Sequence, residues 1–236
     1  AQQRRLVDAI NALDRRRNET VVNPELETRI ANYETAFKMQ ASVPELMDMS
    51  GEPQHIFDLY GCKPGDGSFA SNCLLARKLA ERGVRFIQLY HRGWDHHDGI
   101  VKYMDICCRL TDQATYALMH DLKQRGMLDD TLVIWTGEFG RTPMAQTSKG
   151  APGRDHHMRC FTSWMAGGGI KGGLSYGQSD ILGYYPAENP VQVRDMHATM
   201  LHLFGIDHER FTIKHQGLDL KLTGVEKSKV LKDIMA

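Results

Sequence analysis

Twice in this chain a helical pattern is cut off by a glycine and followed within a few residues by a short apolar run. No other feature restricts the fold as strongly. The spacing predicts a helix over residues 69–82 that stops at Gly83, where the missing Cβ suits a left-handed cap, and residues 84–90 (VRFIQLY) then read as a buried strand. A second helix is expected over about residues 102–125, stopped by Gly126 and followed by a strand at 131–136 (TLVIWT). Strand, loop, helix and strand in that order are the mark of a parallel pair, so the expected class is α/β with a mostly parallel sheet.

The remaining elements are arranged around that unit. Residues 161–166 read as another strand, closed by Gly167-Gly168-Gly169 and followed by a Gly-rich loop to about Asn189. A helix over 193–204 carries Met196, Met200, Leu201 and Phe204 toward a core, with His197 and His202 as packing or surface residues. A late strand fits within 216–220. At the amino end, Leu6, Ile10 and Leu13 share one helical face, and Asn23-Pro24-Glu25 signals the start of a second helix with Leu26, Ile30, Tyr33 and Phe37 inward. These two helices are expected to form a hairpin over residues 1–60 that packs on a main domain over residues 61–236.

Composition excludes several classes of partner. Lys and Arg number 29 against 29 Asp and Glu, so the net field gives no reason to expect nucleic acid. No apolar run approaches the roughly 20 residues of a spanning helix, and the first residues open on a helical pattern with no export signal. The five cysteines form no C-x-x-C pair and read as buried free thiols. Cys62-Lys63-Pro64 resembles the start of a sulfatase cysteine motif, but Asp66 stands where that motif has an arginine. The triple glycine has no G-K-[ST] ending and reads as a tight turn.

Three polar clusters sit at the ends of the apolar runs: Trp94-Asp95-His96-His97-Asp98, Glu138-Phe139-Gly140-Arg141-Thr142-Pro143 and Gly153-Arg154-Asp155-His156-His157. Imidazoles and carboxylates concentrated at three separated points suit a divalent cation, and the carboxyl ends of strands are where α/β sheets gather ligands. Alternation along an extended loop pairs Asp95 with His97 and sets His96 on the other side. Arg141 is the candidate to fork onto a phosphate or sulfate oxygen; its alternative is a loop-fixing pair with Glu138.

The strings W-D-x-H (Trp94, Asp95, His97), G-E-F-G-R-T-P (Gly137 to Pro143), G-R-D-H (Gly153 to His156) and A-G-G-G-I-K-G-G (Ala166 to Gly173) resemble an uncharacterised domain-of-unknown-function family of the alkaline phosphatase and sulfatase superfamily. The resemblance implies a three-layer α/β/α sandwich, here with the amino-terminal helical hairpin added. It also implies metal ligands at Asp95, His97, Glu138, Asp155 and His156, with Arg141 and Arg154 contacting the substrate anion. Phe139 stands where relatives have a histidine, which points to a single ion or a weak second one. The mixed Asp, Glu and His shell suits zinc or manganese, with calcium or magnesium less well matched.

The implied activity is metal-dependent hydrolysis of a small-molecule or polysaccharide phosphate or sulfate ester. The rival is a non-catalytic binding or scaffold protein that keeps the fold; a nuclease or phosphodiesterase would differ only in substrate. Nothing in residues 1–53 resembles the family's first metal-binding aspartate, and no Ser or Thr stands at a convincing nucleophile position. The chain is therefore expected to be a carboxyl-terminal portion with an incomplete site. Relatives commonly carry an export signal, which implies a periplasmic or secreted protein.

Overall fold

A left-handed glycine lets a helix stop without strain, and Gly83 adopts φ 77° at the end of one here. The computed structural model describes residues 2–20, 24–146 and 150–236 and divides into two units, Ala1–Ile87 and Gln88–Ala236.

In the first unit α1 (Gln2–Thr20) and α2 (Pro24–Met47) pack against each other. The cap at Asn23 and the side chains of Leu6 and Leu26 lie outside the described residues. A two-helix contact buries only a narrow seam: Ile10, Ile30 and Phe37 are half-buried, while Leu13 and Tyr33 are exposed. Two further helices, α3 (Gln54–Tyr60) and α4 (Phe69–Glu81), follow. Ser68 caps α4 by accepting the Ser71 N–H at 3.0 Å.

The turn before α4 is organised by Asp66, which accepts the N–H groups of Lys63 at 2.8 Å and Ser68 at 2.9 Å. Burial opposes ionisation there, but the bonds from Ser68, Lys63 and Ser71 together outweigh it and hold the carboxyl at about 2. Cys62 beside this turn is buried, and burial raises its pKa; the buried Cys73 thiol is pushed up to about 12 by burial and by Cys62. Both thiols are inert at neutral pH. Arg77 is the largest charged group in this unit's interior, 2% exposed, with Glu52 at 2.5 Å and Glu81 at 2.7 Å.

In the second unit α5 (Ile100–Gln124) buries Cys107, Thr111, Ala114, Ala117, Asp121 and Leu122, a stripe of helical period. After a 3-10 turn (Leu128–Asp130) come β1 (Val133–Trp135), β2 (Gly140–Arg141), β3 (His156–His157), β4 (Trp164–Ala166), β5 (Gln178–Ser179) and β6 (Pro186–Glu188). The chain continues through α6 (Val193–Leu203), β7 (Thr212–His215), β8 (Leu218–Lys221) and a last 3-10 turn (Lys232–Ile234). Asp195 on α6 holds the tail by accepting the Lys229 N–H at 2.9 Å, and Thr199 Oγ1 accepts the Leu231 N–H at 3.0 Å. Along α6 His197 and His202 are exposed, and so is Phe204 just beyond it.

The expected α/β/α sandwich with a mostly parallel sheet is not what the chain forms. Among the described residues the strands make four two-stranded sheets, β1–β4, β2–β3, β5–β6 and β7–β8, and every pair is antiparallel. Residues 84–90, read as a strand, carry no regular secondary structure, and Phe86 and Tyr90 are exposed. Residues 131–136 supply only the three-residue β1, which pairs with β4 in the register Val133↔Ala166 and Trp135↔Trp164. The physical reason is that a strand is a relation between two segments: an apolar extended run fixes its own backbone preference but not a ladder partner. The helices, whose hydrogen bonds are internal, fall within two residues of their expected bounds at α4, α5 and α6. No described helix is long and apolar enough to cross a membrane.

Replacing Arg77 by Met leaves the half-buried Glu52 without its cation and removes the partner of the exposed Glu81; the expected loss is about 3 kcal/mol, read from the urea midpoint. Asp66 gives a second expectation. Its folded pKa lies below the ordinary 3.8, so its contribution is present above that value and is lost as pH falls from about 4 toward 2. NMR titration of the carboxyl should find the depressed midpoint, and Asp66→Asn should lose less stability than wild type across that range.

Candidate metal centre

All three tryptophans of the chain stand in a row: Trp94 meets Trp135 edge-on with centroids 6.3 Å apart, and Trp135 stacks on Trp164 at 6.2 Å. This row ties the irregular segment around Trp94 to the β1–β4 pair. Beyond Trp94 the residues alternate. His96 turns inward, 3% exposed and stacked on Tyr103 at 6.1 Å, with Nε2 lacking a hydrogen-bond partner. Burial, then nearby Arg141, lowers its pKa, so the ring is neutral near pH 7. Asp95 and His97 turn the other way, as the period-two argument requires.

The facing segment is the narrow β2–β3 hairpin, with Arg141 opposite His156 and Gly140 opposite His157. Its ladder extends through side chains and loops. The Thr142 N–H donates to Asp155 O at 2.9 Å, and the Asp155 N–H donates to Thr142 Oγ1 at 3.2 Å. Gln146 and Gly153 exchange backbone hydrogen bonds of 2.8 and 2.9 Å. The hairpin meets the Asp95 segment where the Arg154 N–H donates to His96 O at 3.1 Å and Gly153 lies against His97. A Cβ at Gly153 would sit 2.0 Å from the carbonyl carbon and oxygen of His97, so only glycine permits that approach.

These contacts bring Asp95, His97 and His156 together. Asp95 Oδ1 lies 2.8 Å from His156 Nε2 and 2.9 Å from His97 Nε2, and the two imidazole nitrogens are 3.1 Å apart. The triangle is close to one face of an octahedron, whose donors stand roughly 3.0 Å apart for bonds of roughly 2.1 Å. A tetrahedral zinc site would open it to roughly 3.3 Å. Two imidazoles and one carboxylate are a donor set for Zn, Mn or Fe, so the residues fit a divalent ion chemically as well as in spacing. Asp95 is held well below the usual carboxylate range by the bond from His156 and then that from Arg141, and is ionised as a ligand must be.

The other expected site residues take different places. Arg141 donates through Nη2 to Asp95 Oδ1 and Trp94 O, each at 2.9 Å, and through Nη1 to Arg154 O at 3.0 Å. Its fork is thus engaged by protein, with Asp95 as partner where Glu138 was the expected alternative. Asp155 flanks the triad with Oδ1 3.7 Å from His97 Nδ1. Glu138 is exposed and outside the three-ligand group. Arg154 is exposed. Phe139 packs on His156 with centroids 4.5 Å apart, so the residue in a histidine's expected place braces a ligand. His157 is buried and contacts Tyr184 O through Nε2 at 2.6 Å. Gln146, unnoticed in the sequence, puts Oε1 2.7 Å from His97 Nδ1. No ligand-type signal could have marked it.

Gly153→Ala should push His97 from the triad. The expected result is a loss of about 1–3 kcal/mol in urea unfolding, together with weakened metal binding in a calorimetric titration.

No curated protein and no solved structure matches the chain. One family, described as "Protein of unknown function (DUF1501)", matches residues 1–235, and that description names no superfamily, activity or ligand. Because the match spans nearly the whole sequence, the chain belongs to the DUF1501 family.

Proposed function

We propose that this protein is a metal-dependent hydrolase of phosphate or sulfate esters whose divalent ion is held by Asp95, His97 and His156. The observation that carries the reading is the single carboxylate oxygen set 2.8 and 2.9 Å from two Nε2 atoms. Resemblance of the surrounding strings to the alkaline phosphatase and sulfatase superfamily supplies the substrate class; the octahedral spacing favours manganese, and the donor set also admits zinc. A bound ion would supply Lewis-acid polarisation of the ester oxygen.

The chain's own residues divide the remaining work. Asp95 stays ionised because His156 and Arg141 donate to it. Arg141 fixes the carboxylate against the Trp94 and Arg154 carbonyls. Arg154, which is exposed and whose backbone bonds to Arg141 and His96, is the guanidinium proposed for an anionic oxygen. Glu138 and Asp155 are carried as outer carboxylates. We place the protein in the periplasm or outside the cell, following the same resemblance.

A non-catalytic metal-binding or scaffold protein is the second reading, favoured by one observation: three donors of the Arg141 guanidinium are taken by Asp95 and two backbone carbonyls. Metal analysis and turnover separate the two. The purified protein should carry one divalent ion per chain, and Asp95→Ala and His156→Ala should lose it while keeping their circular dichroism. Free metal at roughly 100 times its Kd should stabilise the wild type by about 2.7 kcal/mol. Aryl phosphate or aryl sulfate cleavage that disappears in both variants supports the hydrolase. Bound metal with no turnover on either ester supports the scaffold. Absence of metal binding and of any chelator effect on the melting temperature overturns both.

A further inference from the structure

We infer that this protein is a homodimer in which the amino-terminal half of α5 from one copy packs on the same half of α5 from another. The inference stands apart from the metal centre and from the ester-hydrolase reading.

One face of α5 is covered at one end and bare at the other. Residues 103, 106, 110, 114, 117 and 121 follow the three-and-four spacing of a single helix face. Along it Ala114, Ala117 and Asp121 are buried, whereas Tyr103, Ile106 and Leu110 are 46%, 44% and 57% exposed. The covered half is built mainly of small residues, and the bare half of large apolar ones. Single exposed apolar side chains are ordinary on a soluble protein, but three that adjoin on one helix face are a contiguous patch of the kind that meets another molecule.

The polar contacts at this end are unfinished too. Tyr103 stacks on His96 with centroids 6.1 Å apart, and His96 is buried with no hydrogen-bond partner at Nε2. Buried polar atoms in completed cores and interfaces are almost always paired. A surface seated on Tyr103 can supply the missing partner.

Area and charge argue that the occupant is a second copy. A folded chain of 26.7 kDa exposes roughly 11,000 Å², and even two folded units sharing no surface would expose roughly 13,000 Å². This chain exposes 16,867 Å². A stable pair needs roughly 800 Å² from each partner, and obligate homodimers use more, so the surplus of roughly 4,000 Å² is ample for one. With 29 basic against 29 acidic residues, a copy of the chain meets no net repulsion from another. The stripe also suits a twofold axis: centred near Ile106, it brings Tyr103 of one copy to Leu110 of the other, and the reverse contact follows by symmetry.

Sedimentation equilibrium of the chain at roughly 10 μM, above the dissociation constant expected of such an interface, should give twice 26.7 kDa. Ile106→Arg and Leu110→Arg each put a charge on the stripe in both copies and should weaken the dimer roughly 100-fold or more. Their circular dichroism should be unchanged, because both side chains are already exposed in the single chain. Val101→Arg, exposed on the opposite side of α5, should leave the dimer intact. A wild type at the mass of one chain overturns the inference and leaves the face to a different polypeptide. A dimer that survives both stripe substitutions, or that Val101→Arg weakens equally, overturns it as well, as does open-ended aggregation in place of a closed pair. If one stripe variant misfolds, the other and the wild-type mass still decide.

Discussion

The guanidinium of Arg141 is the interaction on which the site depends. It reaches Trp94 O, Asp95 Oδ1 and Arg154 O at 2.9 to 3.0 Å, and so joins the Asp95 segment to the β2–β3 hairpin. Neither partner has a wide sheet behind it, since β2 and β3 are two residues each. A charge-assisted bond to a carboxylate is stronger than a neutral one, and a planar fork also sets direction. The bond from His156 and then that from Arg141 keep Asp95 anionic, so Arg141 both closes the loops and helps prepare a carboxylate that could ligate a cation.

What could be read from the sequence divides along a physical line. Helices α4, α5 and α6 were legible because their stop signals are local: Gly83 and Gly126 adopt positive φ, and the stripe from Cys107 to Leu122 repeats at helical spacing. The strands were legible only as extended apolar runs. Residues 84–90 have the composition of a buried strand and no ladder in the structure, because pairing is decided by distant segments that composition does not name. The same limit governs the site. Asp95 and His97 follow from alternation, and His156 follows from the resemblance of G-R-D-H. Gln146 does not follow from anything, because a glutamine becomes informative only when its oxygen is seen 2.7 Å from an imidazole. Arg141 reads from the sequence as a fork for an ester anion or a partner of Glu138, and the carboxylate it meets within the protein is Asp95, because a guanidinium suits any such oxygen and sequence does not say which lies near.

The departure from a parallel sheet changes how rigidity is achieved. In an open α/β sheet the strand ends fix the ligands. Here they are fixed by cross-bracing: Thr142 with Asp155, Gln146 with Gly153, Arg154 with His96, and the tryptophan row behind Trp94. Most of these bonds involve backbone groups, which keeps the geometry while leaving side chains free for chemistry. Gly153 is the residue that this arrangement cannot exchange, since its lack of a Cβ allows the hairpin to touch the His97 carbonyl.

The charges around the triad decide how well so exposed a group could hold a cation. Asp95 is 68% exposed, so water screens much of its attraction for a cation. Arg141 then opposes a divalent ion by bringing positive charge to the very oxygen that would ligate it. Asp155, near His97 Nδ1, restores a net negative charge to the group of two carboxylates and one guanidinium. An isolated Asp95–Arg141 pair would be neutral and a poor attractor. The second carboxylate leaves a net negative charge beside the triangle. Such a charge favours a cation, and three donors spaced 2.8 to 3.1 Å apart are a group that could hold a divalent one.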